Sequence, residues 1–250
     1  MFKLILFDLD ETLAESKQPI TQEVANMLTS LLEKYHVGVI SGGSYKQFEI
    51  QFLSGFKESR PELLDKLVLL PTCGTQMIMH EQGKQEVKYR EVIPEEERSK
   101  IKQAYAKMME EFTHQPEKTW GDIVEDRETQ ITFSAYGQHA PPDEKKKWDP
   151  QKQKRIPMMD FLQKHLGDAY EVRIGGSTSI DITKKGIDKA YGVKKIEEVL
   201  GIGKEDIIFF GDALESGGND HPVLTTGVPC VWINSHEEVV EKVQNVLRPT

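Results

Sequence analysis

The chain opens with the stretch that decides its fold, Phe2-Lys3-Leu4-Ile5-Leu6-Phe7-Asp8-Leu9-Asp10-Glu11-Thr12. Five of the six residues before Asp8 are apolar, and so short an apolar run predicts a strand buried on both faces, as in parallel sheets. Ligands of open α/β sheets bind beyond the carboxyl ends of the strands, so Asp8 and Asp10 are expected to project into a crevice. Two carboxylates this close repel each other, and a divalent cation would offset the repulsion.

The motif Asp8-Leu9-Asp10-Glu11-Thr12 resembles the first motif of the haloacid dehalogenase superfamily of phosphoryl-transfer enzymes. The resemblance implies that Asp8 attacks phosphorus and becomes an aspartyl phosphate, while Asp10 donates and accepts the proton. Glu11 stands where that superfamily usually has glycine, which predicts a stiffer and more negative loop. Taken alone, the motif also fits a pair of solvated acids in a turn after a strand.

Length and composition fit one large domain or two small ones. The 250 residues are 38% hydrophobic, enough for a sizeable core, and the net charge of −9 argues against nucleic acid as the main partner. No apolar run approaches the length of a membrane span, and Met1 leads straight into the first strand, so we expect a cytoplasmic protein without membrane partners. Cys73 and Cys230 are too few for a zinc site and are expected to be buried.

A second strand, Val37 to Ile40, follows a helix whose apolar residues recur at helical spacing after Thr21, a residue that can cap its amino end. The strand ends in Ser41-Gly42-Gly43-Ser44, where glycines let the backbone approach a bound anion. This stretch matches the second motif of the superfamily, which implies that Ser41 binds a phosphoryl oxygen, with Gly42 beside the substrate. A glycine-rich turn that joins a strand to a helix is the alternative.

The pattern then changes. A hairpin around Glu81-Gln82-Gly83-Lys84 leaves the first domain, and helices then alternate with antiparallel strands such as Ile131 to Tyr136. The stretch Pro141 to Lys147 is interpreted as a charged connection. The sequence therefore predicts an α/β core with a parallel sheet and an inserted α+β cap with an antiparallel sheet and helices. The predicted segments are residues 1–83 for the first part of the core, 84–184 for the cap and 185–250 for the rest of the core.

A second set of acids follows a second buried strand, Ile207 to Phe210. Asp212 comes directly after that strand, and Asn219 and Asp220 follow two glycines. A metal shared by both sets of acids would be Mg²⁺, which prefers carboxylate oxygens and waters. The predicted ligands are Asp8, Asp10 and Asp212, with Asn219 and Asp220 orienting waters, Lys189 or the groups around the metal. Capping of the helix that starts nearby is the alternative for Asp220.

The stretch Lys185-Gly186-Ile187-Asp188-Lys189, followed by a strand and Gly211-Asp212, resembles the third and fourth motifs of one superfamily branch. In that branch, subfamily IIB with a Cof-type cap, the cap is inserted after the third strand. The resemblance implies that Lys189 neutralises Asp8 and the phosphoryl group, with Lys184 and Lys185 as alternatives. Four motifs in the right order imply a Rossmann-like haloacid dehalogenase core with an inserted cap.

Within that branch the chain resembles eukaryotic-type phosphomannomutases over nearly its whole length. The resemblance rests on Gly175-Gly176-Ser177-Thr178-Ser179-Ile180-Asp181-Ile182 and on Phe209-Phe210-Gly211-Asp212 with Gly217-Gly218-Asn219-Asp220-His221. That family's cap holds the distal phosphate with arginines and the sugar hydroxyls with a Ser and an Asp, and related mutases dimerise through their caps. The resemblance therefore implies a homodimer through the cap and substrate contacts from Lys17, Arg127, Gln138, Lys145, Ser179 and Asp181.

Three of these positions depart from the family. Lys17 and Lys145 stand where arginines are expected; they keep the positive charge but lack the bidentate guanidinium. Gln138 stands where another arginine is expected and carries no charge, so phosphate binding in the cap should be weaker. A mutase must hold a bisphosphate while it reorients, whereas a phosphatase needs only a monophosphate and a water. The sequence therefore favours hydrolysis of a small phosphorylated metabolite, a sugar phosphate. Phosphomannomutase activity is the alternative, and a catalytically silent sugar-phosphate-binding protein is a third one.

Alternatives stay open for the cap residues as well. Arg127 lies in Glu125-Asp126-Arg127-Glu128 and also fits an ordinary exposed ion pair. Ser179 and Asp181 alternate with Ile180 and Ile182 along a strand, so they face away from its apolar side. Water or a sugar would satisfy these two polar side chains equally well.

Overall fold

A computed structural model describes residues 2–56, 61–113 and 116–247 of the chain. Contacts divide the chain into two units, which we call the core and the cap. The core comprises Met1–Arg90 and Asp188–Thr250, and the cap comprises Glu91–Ile187. Among the residues that the structure describes, the buried apolar side chains form two clusters in the core and one in the cap.

The core contains a seven-stranded sheet. Its strands, numbered along the whole chain, are β1 (Leu4–Phe7), β2 (His36–Ile40), β3 (Leu67–Leu70), β4 (Gln76–Glu81), β5 (Lys84–Arg90), β10 (Ile207–Gly211) and β11 (Cys230–Trp232). Their order is β11-β10-β1-β2-β3-β4-β5; the strands from β11 to β3 pair in parallel, and β4 pairs antiparallel with both β3 and β5. Because every residue of β1, β3 and β10 is buried, the prediction of parallel strands covered on both faces is confirmed.

Helices cover both faces of this sheet. They are α1 (Gln22–Leu32), α2 (Tyr45–Gln51), α3 (Pro61–Leu64), α7 (Lys189–Leu200), α8 (His221–Leu224) and α9 (Val239–Leu247). Alternate residues of β1 point to opposite faces, so Ile5 packs in the cluster with α1, α2 and α9, whereas Leu6 packs in the cluster with α7. The predicted helix cap is confirmed, since the Val24 N–H donates to Thr21 Oγ1 at 3.2 Å.

In its described residues the cap contains a four-stranded antiparallel sheet and three helices. The strands are β6 (Val124–Asp126), β7 (Ile131–Ser134), β8 (Tyr170–Gly175) and β9 (Ser179–Lys184), in the order β6-β7-β9-β8. The helices are α4 (Glu95–Glu111), α5 (Pro142–Trp148) and α6 (Arg155–Leu166). Apolar residues of α4 and α6 pack on one face of the sheet, where Ile180 and Ile182 are fully buried. The predicted fold class, a Rossmann-like core with an inserted α+β cap, is confirmed.

The division of the chain differs from the predicted segments at both boundaries. Residues 84–90 were assigned to the cap, but they form β5 and pair with β4 at the edge of the core sheet. A two-residue turn joins the two strands, with Gln82 and Gly83 at φ 53° and 73°, so β5 folds straight back along β4. At the second boundary, the contacts of residues 185–187 place them with the cap and not with the core.

Two smaller predictions also differ from the structure. The stretch Pro141 to Lys147 was interpreted as a connection, yet it forms most of helix α5. The helix is favoured by a proline at its start, by Asp143 and Glu144 in its first turn and by lysines in its last turn. Cys73 and Cys230 are both half-buried, not fully buried.

Within the part of the chain that the structure describes, every helix is too short or too polar to cross a membrane.

Candidate active site

Asp8 lies at the carboxyl end of β1 and is 2% exposed. Its N–H donates to the carbonyl oxygen of Phe210 at 2.9 Å, which ties it to the end of the neighbouring strand β10. Lys189, the first residue of α7, is 1% exposed and places its Nζ 2.5 Å from Asp8 Oδ1. The same Nζ donates to Asp220 Oδ1, so one buried ammonium group bridges two carboxylates.

Three carboxylates meet at this edge of the sheet. Asp8, Asp212 and Asp220 each offer one oxygen, and these oxygens lie within 4.8 Å of one another. Asp212 follows β10, and its Oδ1 accepts a hydrogen bond from Thr12 Oγ1 at 3.2 Å. The sequence therefore correctly placed acids from two distant segments at one edge of the sheet.

The carboxylates disturb one another's ionisation. Burial raises the pKa of Asp8 well above its usual range, the charge of Lys189 opposes this shift, and the charges of Asp220 and Asp212 reinforce it. Burial also raises the pKa of Asp212, again with a contribution from Asp220. Burial lowers the pKa of Lys189, but the two bridged carboxylates outweigh that effect and raise it, so the ammonium group stays charged. One ammonium for three carboxylates leaves an excess of negative charge.

This donor set fits a hard divalent cation, because all its ligand atoms are carboxylate oxygens. The two oxygens of Asp220 are already engaged, Oδ1 by Lys189 and Oδ2 by the Ala213 N–H at 3.0 Å. Asp8 and Asp212 are therefore the residues that could hold the cation. Asp220 stands at the N-cap position of helix α8, but its side chain makes no capping hydrogen bond to that helix, so side-chain capping does not explain this residue. Asn219 is exposed.

Asp10, the third predicted ligand, lies outside this group of acids among the described residues. Its Oδ1 accepts hydrogen bonds from the Lys17 N–H at 2.8 Å and from Gln51 Nε2 at 2.9 Å. Its Oδ2 faces Gln47 Nε2 at 3.4 Å. The carboxylate is therefore held by helix α2 and by the loop that follows β1, which explains why its oxygens are turned to donors and not to the other acids.

Ser41 lies at the end of β2, beside β1, and is buried. Its Oγ accepts a hydrogen bond from the Gly43 N–H at 3.1 Å, and its carbonyl oxygen accepts one from the Cys73 N–H at 2.9 Å. The half-buried Gly42 lies between these anchored residues. The strand-to-helix turn predicted from the sequence is present, and its two ends are fixed by hydrogen bonds.

In the cap, the structure brings Arg127, Gln138 and Lys145 together. The Arg127 guanidinium donates to Glu125 Oε2 through Nε at 2.9 Å and through Nη2 at 2.6 Å, and Nη2 lies 3.4 Å from Gln138 Oε1. Lys145 Nζ donates to the carbonyl oxygen of Gln138 at 2.9 Å. The Arg127 side chain is 7% exposed and the Glu125 side chain 32%, so their ion pair is partly buried and not the exposed pair considered from the sequence.

Ser179 and Asp181 lie on β9, with Ile180 and Ile182 on the opposite, buried face, so the predicted alternation is confirmed. Asp181 Oδ1 accepts a hydrogen bond from Thr132 Oγ1 on the neighbouring strand β7 at 2.7 Å. Both predicted sugar-contacting residues are half-buried on the polar face of the sheet.

Sequence reasoning missed the side chains that hold the predicted residues. The side-chain amides of Gln47 and Gln51 contact the Asp10 carboxylate. Their spacing of four residues on the helix after Ser41 places them on one helix face, and this is the sequence feature that could have indicated the contact. In the cap, the buried Arg155 pairs with Asp149 and donates to the carbonyl oxygens of Gly175 and Gly176 at 3.0 and 2.7 Å. Nothing in the sequence around Arg155 indicates that contact, because it joins segments distant along the chain.

Solved structures share this fold over nearly the whole chain. One is a haloacid dehalogenase-like hydrolase from Bacteroides thetaiotaomicron, with a TM-score of 0.66, 17% identity and coverage of 99% of this chain and 100% of that one. Another is an IMP-nucleotidase from Plasmodium falciparum, with a TM-score of 0.70, 14% identity and coverage of 99% and 70%. At these identities the likeness shows the fold alone.

Sequence relatives are more specific. The phosphomannomutase of Encephalitozoon cuniculi is 24% identical over an alignment of 255 positions, and the alignment covers 98% of this chain and 93% of that protein. The phosphomannomutase of Saccharomyces cerevisiae is 27% identical over 228 residues, which cover 88% and 84%. The sequence profile of the family described as eukaryotic phosphomannomutase matches residues 24–249. The chain therefore belongs to the eukaryotic phosphomannomutase family of haloacid dehalogenase-type phosphoryl-transfer enzymes.

Proposed function

We propose that the protein is a phosphomannomutase, which interconverts mannose 1-phosphate and mannose 6-phosphate through an aspartyl phosphate on Asp8. The observation that carries this proposal is the extent of the family match, which runs through the whole cap as well as through most of the core. A shared core alone would support any phosphoryl transfer, whereas a shared cap supports a shared substrate. This proposal replaces the preference for hydrolysis that rested on Gln138.

The first half of the proposed reaction loads the enzyme with phosphate. A carboxylate oxygen of Asp8 attacks phosphorus, the bond from phosphorus to the donor sugar oxygen breaks, and Asp10 gives its proton to that oxygen. Lys189, 2.5 Å from Asp8 Oδ1, and Ser41 carry the negative charge that develops on the phosphoryl oxygens. In the second half, a sugar hydroxyl attacks the aspartyl phosphate and Asp10 takes up the hydroxyl proton.

We also propose that Asp8 and Asp212 hold Mg²⁺. When bound, the ion would supply positive charge to the phosphoryl oxygens and to the crowded carboxylates. Asp220 has a different role in this scheme: with both oxygens engaged, it fixes the position of Lys189. Because Lys189 contacts both acids, the ammonium group stays beside Asp8 whether or not substrate is present.

The cap geometry supports the mutase despite the missing arginine at position 138. Lys145 Nζ donates to the Gln138 carbonyl oxygen, and the Arg127 guanidinium lies beside the Gln138 side chain. Two cations therefore flank the position where the family's positive charge is absent. They give the cap a means of attracting the distal phosphate of a sugar bisphosphate.

Hydrolysis is a second candidate, favoured by one specific observation. Two donors of the Arg127 guanidinium are occupied by Glu125, which compensates part of its charge within the cap. A cap that holds the bisphosphate weakly would let it escape, and water would then attack the aspartyl phosphate. In that case Asp10 would activate the water in place of a sugar hydroxyl.

A single incubation separates the candidates. The protein is mixed with mannose 1-phosphate, Mg²⁺ and a hexose bisphosphate activator, and the products are followed by phosphorus NMR. Formation of mannose 6-phosphate supports the mutase, and inorganic phosphate as the main product supports the phosphatase. Unchanged substrate with retained sugar-phosphate binding supports a silent binding protein and contradicts both enzymatic proposals.

A cytoplasmic location and a homodimer through the cap stay predictions. Light scattering of the purified protein would test the dimer, with a monomer over a range of concentrations as the contradicting outcome.

A further inference from the structure

The loop that follows the first motif is closed by two consecutive carboxylates. Glu11 Oε1 accepts a hydrogen bond from the Ser16 N–H at 3.2 Å, and Asp10 Oδ1 accepts one from the Lys17 N–H at 2.8 Å. Adjacent acids therefore hold adjacent amides at the far end of the same loop. We call residues 11–17 the motif loop.

Two residues of the motif loop adopt a backbone conformation that side chains disfavour. Glu11 and Lys17 have φ angles of 62° and 60°, in the left-handed region where glycine is the usual residue. Glu11 is further constrained because its N–H donates to the carbonyl oxygen of Ala14 at 2.7 Å. Such conformations persist only where surrounding contacts impose them. The carboxylate of Glu11 provides one of those contacts.

We propose that Glu11 is a positioning residue for Asp10. By fixing the Ser16 N–H, the Glu11 carboxylate keeps the next residue, Lys17, in its left-handed conformation, and so keeps the Lys17 N–H on Asp10 Oδ1. The inference rests on the proposed function in one respect, the role of Asp10 in proton transfer. Its structural part, that Glu11 determines the position of the Lys17 N–H, does not depend on the reaction.

Loss of this contact would leave Asp10 with fewer restraints. Its Oδ1 would keep the hydrogen bond from Gln51 Nε2 at 2.9 Å, and its Oδ2 would keep the long contact to Gln47 at 3.4 Å. A carboxylate held by amides from one helix alone can rotate about its side-chain bonds. Misplacement of a group that transfers a proton lowers the rate of the chemical step more than it weakens substrate binding.

Three substitutions of Glu11 separate the hydrogen bond from the charge and from the backbone strain. Glu11→Gln keeps an oxygen acceptor without the charge, Glu11→Ala removes the acceptor, and Glu11→Gly removes the acceptor and also relieves the strained φ angle. We expect kcat to fall roughly tenfold in the Ala and Gly variants, with KM unchanged, and to stay within about twofold of the wild type in the Gln variant.

One control variant defines what the result means. Glu49→Ala removes an exposed carboxylate from α2 and should leave kcat unchanged. Wild-type kcat in Glu11→Ala, or a loss in Glu11→Gln equal to that in Glu11→Ala, would overturn the proposal.

Hydrogen exchange needs no catalytic turnover, so it tests the structural part of this inference separately from the proposed function. Hydrogen exchange of the Lys17 amide should be slow in the wild type and in Glu11→Gln, and fast in Glu11→Ala. Slow exchange in Glu11→Ala overturns the inference even if the enzyme is a mutase. Fast exchange in that variant supports its structural part even if the wild type proves inactive on mannose phosphates, a result that would count against the proposed function alone.

Discussion

The core and the cap of this protein handle charge in opposite ways. In the core, the ammonium group of Lys189 bridges the carboxylates of Asp8 and Asp220, the Asp212 carboxylate lies close to both, and burial intensifies the repulsion among the acids. In the cap, the guanidinium of Arg127 is paired with Glu125, and Lys145 donates to a neutral carbonyl oxygen. The core site therefore carries crowded negative charge that would be offset by a cation such as the Mg²⁺ we propose, whereas the cap site is largely satisfied by its own residues. Changes in the core should consequently have much larger effects than changes in the cap.

The largest effect is expected from Asp8→Asn. An amide cannot attack phosphorus, so turnover should fall at least about a thousandfold, whichever product the wild type forms. The fold should survive, because the substitution is close in shape and removes one of the repelling charges. Activity by phosphorus NMR and melting by calorimetry test the two parts. An Asp8→Asn protein that still turns over substrate would rule out Asp8 as the nucleophile.

The next effect is on stability and comes from Lys189→Met. This change leaves Asp8 and Asp220 buried without their shared cation, which typically costs about 3–5 kcal/mol. For a chain of this size the loss corresponds to a fall in Tm of roughly 10 °C.

The matched control is Lys194→Met on the same helix, whose lysine is exposed and only loosely paired with Glu198 at 3.8 Å. Thermal melting of both variants without added metal should show a large loss for the first and little change for the second. Equal melting temperatures would contradict the view that Lys189 holds the carboxylates together.

A smaller effect concerns Mg²⁺ and pH. Since burial and neighbouring charges raise the pKa values of Asp8 and Asp212 above 3.8, these two groups hold more protons in the folded protein than in the unfolded chain above that pH. Without metal, these groups should make stability fall as the pH rises from the ordinary pKa to the raised ones. Mg²⁺ competes with protons, so it should raise Tm by a few degrees at about pH 8 and less at about pH 5.

Asp212→Asn should remove most of this Mg²⁺ effect, because it deletes one of the two oxygens that we assign to the ion. Glu215→Gln, an exposed acid in the same loop, is the matched control and should keep the effect. A Tm increment from Mg²⁺ that survives in Asp212→Asn would place the ion elsewhere.

The contrast between the two units also explains what the sequence could predict. The strands of the core could be predicted because β1, β3 and β10 are continuous apolar runs. Since these strands are parallel, the acids that follow β1 and β10 had to meet at the carboxyl edge of the core sheet. The motif could not reveal the direction of each side chain. The Asp10 carboxylate, for example, accepts a hydrogen bond from Gln51 of another segment, and Asp10 as a metal ligand stays a prediction.

The boundary at residue 84 was misplaced for a similar reason. A hairpin with a short turn can extend the sheet it leaves or begin the next domain, and its local sequence is the same in both cases. Only the pairing of β5 with β4 decides between these two arrangements. Contacts between distant segments, such as those of Arg155 with Gly175 and Gly176, could not be predicted either, because the local sequence of one segment does not determine which other segment it meets.

The smallest expected effect concerns the products formed when the charge of the cap is increased. Gln138→Arg adds a guanidinium beside Lys145 and Arg127, where the Gln138 side chain now accepts a hydrogen bond from Arg127. If the cap binds phosphate weakly because Glu125 compensates the charge of Arg127, the added guanidinium should improve phosphate binding. The ratio of mannose 6-phosphate to inorganic phosphate should then rise by roughly threefold to tenfold.

Gln151→Arg adds the same charge at an exposed position of the cap and is the matched control, with no expected change in the ratio. Both ratios are read from one phosphorus NMR time course at equal enzyme concentration. The same increase in both variants would mean that net charge, and not the placement of the guanidinium, governs the outcome. An unchanged ratio in Gln138→Arg would instead mean that Arg127 and Lys145 already supply the charge that the missing arginine would bring.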